Sequence, residues 1–177
     1  IVRGPVPGEA GGLRRAYQHV TDVLPTLLEL CGLDHPATRP EATVRPVRGT
    51  SFAPVLADAD HPSTHPEQLT EMIGHRGYRL GHWEAVTRHA PHTRFDDDEW
   101  ELYDMAADPT QLDDRALAEP ERLADLAARW EAAAWEGRVF PLDEGTALKY
   151  VIRPPRQASF ERPVRLLPGT PTLERWR

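Results

Sequence analysis

The stretch "WELYDMAADPTQLDDRA", residues 100–116, decides how this chain is to be read. Its first residues alternate: Trp100 and Leu102 fall on one face and Glu101 and Tyr103 on the other, the period of a half-buried strand. Asp108-Pro109 stops the run as a turn. The remainder is a polar loop without an evident nucleophile. So specific a phrase on a place with nothing to react reads as scaffold.

Working outward, "EMIGHRGYRLGHWEAVTRH" (71–89) predicts two short strands hinged at Gly81. "HWEAVT" (82–87) is then positioned to pair antiparallel with "WELYD", giving a three-stranded meander. On the other side, "EPERLADLAARWEAAAWEG" (119–137) predicts a helix that starts at Pro120 and ends at Gly137. Leu123, Leu126, Ala127, Trp130 and Ala134 lie on one face of it, with Trp130 as a core anchor. A meander with an amphipathic helix across it is an α+β subdomain.

Further upstream, "HVTDVLPTLLELCGL" (19–33) predicts a second helix, capped by Thr21 or Asp22, with Pro25 in its first turn and Gly32 as its stop. Val20, Val23, Leu24, Leu27, Leu28 and Cys31 form a wide apolar stripe, which predicts packing against a sheet with Leu27 as an anchor. Before it, "IVRGPVPGEAGG" (1–12) reads as a short apolar strand dissolving into a Pro/Gly loop. The predicted organisation is therefore residues 1–33 as strand and helix of a larger core, 34–70 as a Pro-rich connection, and 71–137 as the antiparallel subdomain. Residues 138–177, rich in Pro and Arg, are expected to form an extended tail draped over something outside this chain and leading to a further domain.

Composition narrows the function. The 177 residues are 40% hydrophobic and 28% charged, a globular balance. A formal net charge of -7 with dispersed arginines argues against a nucleic-acid surface. The single cysteine, Cys31, excludes an internal disulfide and a Cys-based zinc site. No run approaches the roughly 18 apolar residues of a membrane span, and the opening residues carry no signal-peptide pattern. The chain opens without an initiator Met, so compartment is left open.

Several local groupings invite a chemical reading and meet a structural one. "FDDDEW" (95–100) gathers Asp96, Asp97, Asp98 and Glu99 without the alternating ligands and Gly turn of an EF-hand, and reads as a solvated turn. His61 and His65 stand four apart, but Pro62 and Pro66 oppose the helix a zinc pair would need. His75, His82, His89 and His92 crowd the meander and read as surface or sheet-packing histidines. Ser51 lacks the Gly-x-Ser-x-Gly elbow of a triad nucleophile. Trp83, Trp100 and Trp130 could form a sugar platform, yet their periodic positions favour the core.

Taken in order, "HVTDVLPTLLELCGL", "RGTSFAPVL", "EMIGHRGYRLGHWEAVTRH" and "FDDDEWELYDMAADPTQLDDRALAEPERLADLAARWEAAAWE" resemble the C-terminal third of the sulfatases, within the alkaline-phosphatase-like superfamily. "VFPLDEG" followed by "LLPGTPTL" resembles the large bacterial arylsulfatases. One departure is Glu84, in "GHWEAV", where the family commonly has Lys. The resemblance implies the end of an α/β core followed by the α+β subdomain, and a parent enzyme that hydrolyses sulfate esters of small molecules or sugars. It also implies a formylglycine made from Cys or Ser in a C/S-x-P-x-R phrase, and calcium held by Asp and Asn oxygens.

Neither phrase occurs here. Cys31 is followed by "GLDH", and the Asp-Asp-x-Gly metal phrase is missing, so the family order places the catalytic groups upstream of residue 1. The expectation is that these residues supply no catalytic, cofactor-binding or metal-binding group, and that they pack on an upstream catalytic domain. A phosphodiesterase or phosphonate monoester hydrolase of the same superfamily, and a non-catalytic binding or assembly module, stay open as alternatives.

Overall fold

The computed structural model describes residues 1–144, apart from 5, 10, 37, 40, 41 and 45, so the tail beyond 144 lies outside the described residues. The chain divides into two compact units between Gln68 and Leu69.

In the first unit a 3-10 turn, Val20–Asp22, leads into α1, Val23–Leu30. The turn closes as a reciprocal capping box. The His19 imidazole accepts from Thr21 N–H, and the Asp22 carboxylate accepts from His19 N–H at 2.7 Å. The cap is thus His19, with Asp22 reaching back, rather than Thr21 or Asp22 acting forward. Gly32 ends the helix as expected: at φ 63° it is left-handed, Leu33 N–H reaches Leu28 O at 2.8 Å and Gly32 N–H reaches Glu29 O at 3.0 Å. A short ladder pairs β1, Thr38–Arg39, with β2, Ala42–Thr43. The second helix, α2, spans Ala53–Ala57 and buries Ala53 and Val55.

Two sequence phrases are stitched together here. Thr26 Oγ1 donates to Asp22 O at 2.6 Å and accepts from Phe52 N–H at 2.9 Å, so it joins α1 to the start of α2. Gly49 allows the close approach, because a Cβ there would run into the Thr21 carbonyl. The faces α1 buries are therefore polar: Asp22 and Thr26 are inside. Val20, Val23, Leu24 and Leu27 are exposed, Leu27 at 54%. Among the described residues the stripe packs against no sheet and Leu27 anchors no core. Its position is fixed by the hydrogen-bonding side of the helix, which the apolar periodicity does not report.

The second unit is a four-stranded antiparallel sheet in the order β3-β4-β5-β6, with β3 at Glu67–Met72, β4 at His75–Leu80, β5 at Trp83–Thr87 and β6 at Trp100–Asp104. The expected pairing of "HWEAVT" with "WELYD" holds, in a register that runs from Trp83↔Asp104 to Thr87↔Trp100. Gly81, at φ 61°, opens the tight β4–β5 turn, which sets Leu80 opposite Trp83. The strand the sequence did not separate is β3. It lies just after Pro66, and its turn into β4 puts both Ile73 (φ 51°) and Gly74 (φ 90°) in the left-handed region.

Across this sheet lies α3, Pro120–Gly137, which buries Leu126, Trp130 and Ala134. The helix stops one residue later than glycine chemistry suggests, since Arg138 takes the left-handed cap at φ 59°. These side chains close over Tyr78, Ala85, Phe95 and Leu102. Leu102, Leu126 and Leu142 are each 1% exposed or less, and each such burial is worth about 1.5–3 kcal/mol. Leu142, with Val139 and Phe140 beside it, belongs to this same core, so the first residues of the expected tail fold onto their own subdomain. The fold is α+β, as the sequence predicts.

The opening phrase now has a physical explanation. The free edge of β6 is covered by the loop that follows it: Asp114 Oδ1 accepts from Leu102 N–H at 2.9 Å, and Arg115 N–H donates to Leu102 O at 2.8 Å. Asp104 Oδ1 collects Ala106 N–H at 3.0 Å, while Asp108 Oδ2 collects Leu112 N–H at 2.6 Å and Asp113 N–H at 2.8 Å. These backbone bonds hold the Asp108 carboxyl below the usual range. Asp104, Asp108 and Asp114 thus serve the backbone, while Asp113 pairs with Arg115 at 3.2 Å.

Candidate functional site

Among the described residues, each unit holds a buried aspartate bound to a histidine. In the first, the fully buried Asp22 accepts from His19 N–H at 2.7 Å, Thr50 N–H at 2.9 Å and His65 Nδ1 at 2.8 Å. Burial alone would push its carboxyl up. The backbone bonds from His19 and Thr50, with the His65 contact, outweigh that and hold it below the usual carboxylate range.

In the second, the Asp98 side chain is 4% exposed and meets Arg76 Nη2 at 2.7 Å and His89 Nδ1 at 3.0 Å. Arg76 also donates to Phe95 O at 3.0 Å, and its guanidinium sits 5.2 Å from the ring centre of Trp100 and 5.5 Å from that of Trp130. Burial draws the Arg76 guanidinium down against the opposing pull of Asp98 and Asp96, although an arginine stays charged throughout.

An Asp–His pair is part of a nucleophile-activating triad, and it becomes one only if a hydroxyl or thiol faces the far ring nitrogen. Here the far nitrogens face oxygens that carry no proton. His65 Nε2 lies 2.9 Å from Gln68 Oε1, and His89 Nε2 lies 3.6 Å from Glu144 Oε1. Neither pair is arranged to activate a nucleophile.

The groupings weighed in the sequence separate accordingly. His61 bonds Pro62 O through Nδ1 at 2.7 Å while His65 turns to Asp22, so the two do not act as a metal pair. His75 Nδ1 accepts from His89 N–H at 3.0 Å, His82 lies against Trp83, and His92 is exposed. Ser51 Oγ accepts from Ala53 N–H at 3.2 Å, a local turn contact. Within "FDDDEW", Asp96, Asp97 and Glu99 are exposed as expected, but Asp98 is a buried ion-pair partner rather than a solvated one. Trp130 is core, with Trp83 and Trp100 packed partly buried against it. Arg122 covers the Trp83 ring at 4.4 Å. Cys31 is exposed at the end of α1. Sequence reasoning missed the Asp22–His65 and Asp98–Arg76 pairs, since partners 43 and 22 positions apart leave no local period.

No profile of a known protein family matches the chain. Over 139 residues, 73% of its length, it is 32% identical to an uncharacterized sulfatase of Schizosaccharomyces pombe, of which it covers 23%. Its fold superposes with a TM-score of 0.53 on the structure of BT4656 in complex with its substrate, D-glucosamine-2-N,6-O-disulfate, at 20% identity, covering 76% of this chain and 27% of that one. A candidate sulfatase from Bacteroides thetaiotaomicron superposes less closely, with a TM-score of 0.46 at 24% identity, over 66% of this chain and 24% of that one. The sequence likeness and the shared fold identify the chain as a C-terminal portion of a sulfatase. It spans about a quarter of the length of the proteins it matches.

Proposed function

We propose that this segment is the scaffold end of a longer sulfuric ester hydrolase whose reacting groups lie in the part of the protein upstream. The observation that carries the reading is the 32% identity to a sulfatase over 139 residues. The two Asp–His pairs, each with an oxygen facing its far ring nitrogen, support the view that the segment positions rather than reacts. Among the described residues no group of three or more His, Cys, Asp or Glu is placed to hold a metal ion. Cys31 lies outside any C/S-x-P-x-R phrase, so no step through calcium or formylglycine is assigned to these residues.

The exposed face of Val20, Val23, Leu24 and Leu27 is the surface by which α1 would pack on the catalytic part. The substrate class of the whole enzyme is a sulfate ester on a small molecule or sugar. A sugar is favoured by the doubly sulfated glucosamine bound by BT4656. Reading the coding sequence upstream and assaying the whole protein tests this. A C/S-x-P-x-R phrase with sulfate release from an aryl sulfate is expected; hydrolysis of a phosphodiester alone would overturn it in favour of the sister activity.

A further inference from the structure

The geometry points to a proton-operated clasp in which His89, on taking up a proton at Nε2, ties the segment after α3 to the β5–β6 loop through Glu144. His89 is almost wholly buried, its side chain 1% exposed, with its ring stacked on Phe95 at 3.9 Å. Its Nδ1 faces both Asp98 oxygens, at 3.0 and 3.1 Å, so that nitrogen carries the ring hydrogen. In the neutral ring Nε2 is then a bare lone pair, aimed at the Glu144 carboxylate 3.6 Å away.

Among the described residues, His89 Nε2 and Glu144 Oε1 are both buried atoms without a hydrogen-bond partner. Two acceptors facing each other hold apart. A proton from solvent converts Nε2 to a donor, and one bond then satisfies both atoms, with opposite charges in a poorly hydrated site.

Charged and polar groups from three segments face this contact. From β4, Arg76 pairs with Asp98 and offsets much of its charge, and His75 Nδ1 accepts from the His89 backbone N–H. From the β5–β6 loop, His92 N–H already donates to Glu144 Oε2 at 3.1 Å, and its ring Nδ1 lies 3.6 Å from the same oxygen. Glu144 thus holds its carboxylate beside His89 Nε2. The clasp tightens as pH falls and loosens as it rises.

The test is thermal melting of the full chain and of Glu144→Gln at about pH 8 and about pH 5.5, with the difference between the two proteins as the readout. A glutamine amide N–H donates to a bare Nε2. The variant is therefore expected to melt level with or above the parent at the higher pH and roughly 3 °C or more below it at the lower. An offset that is the same at both pH values overturns the clasp. Nitrogen NMR of the His89 ring in the unsubstituted chain gives a second reading. Nε2 is expected bare at the higher pH and protonated at the lower, and a hydrogen found on Nε2 with Nδ1 bare at the higher pH would also overturn it.

Discussion

Trp130→Ala removes the side chain on which the second unit closes. The indole is 2% exposed, and truncating a buried Trp costs about 3–5 kcal/mol in lost contacts and residual cavity. Its Nε1–H also donates to Thr70 O at 3.0 Å. Thr70 is exposed, so water replaces that donor and the added loss is at the low end, about 0.5–1 kcal/mol. Arg76 loses one of its aromatic faces but keeps Trp100 and Phe95, which adds about 0.5 kcal/mol. The sum, about 4–6.5 kcal/mol, is a large share of the roughly 5–15 kcal/mol total stability of a domain, so the variant should be severely destabilised. Trp130→Phe keeps an aromatic ring against Phe140 and gives up the hydrogen bond and part of the volume, and should cost about 1–2 kcal/mol. Urea unfolding followed by helical circular dichroism reads both. An alanine variant within about 1 kcal/mol of the parent, or a phenylalanine variant as damaged as the alanine one, would refute the packing described.

Asp114→Ala should uncover the edge of β6: exchange of the Leu102 amide is expected to accelerate, with about 1–2 kcal/mol lost, and unchanged protection would show that the edge is closed by something else. For Asp22 the folded carboxyl lies below its ordinary value, so its contribution is full above the usual carboxylate range and is lost as pH falls through the lowered folded value. The stability gap between the parent and Asp22→Asn should therefore shrink between about pH 6 and about pH 3, and urea midpoints showing a constant gap would contradict the assignment.

The parts legible in the sequence were those with a sustained period. Leu123, Leu126, Trp130 and Ala134 marked α3, and the alternation in "WELYD" marked both β6 and its pairing with β5. β3 escaped because Pro66 precedes it and its polar residues, Glu67, Gln68, Thr70 and Glu71, mask the alternation. The inward, polar side of α1 was illegible for a different reason. Hydrogen bonds to Asp22 and Thr26 choose which side faces inward, and a hydrophobic stripe carries no record of bonds to Thr50 and Phe52. Leu142 was lost in a Pro-rich stretch whose single apolar residues have no period to reveal burial. At the candidate site, the histidine crowding was visible. The pairing of His89 with Asp98 and Glu144 required the β5–β6 loop to fold back and the segment after α3 to return to it.

The central claim, that these residues position a sulfatase without performing its chemistry, is tested most directly by assaying the purified chain with an aryl sulfate and added calcium. Attack on sulfur needs an activated nucleophile and stabilisation of the developing charge, which the proposed function assigns to another part of the protein. The expected result is no turnover above that of a Cys31→Ala preparation. Sustained turnover that survives Cys31→Ala and repurification would place the chemistry in this segment and contradict the account.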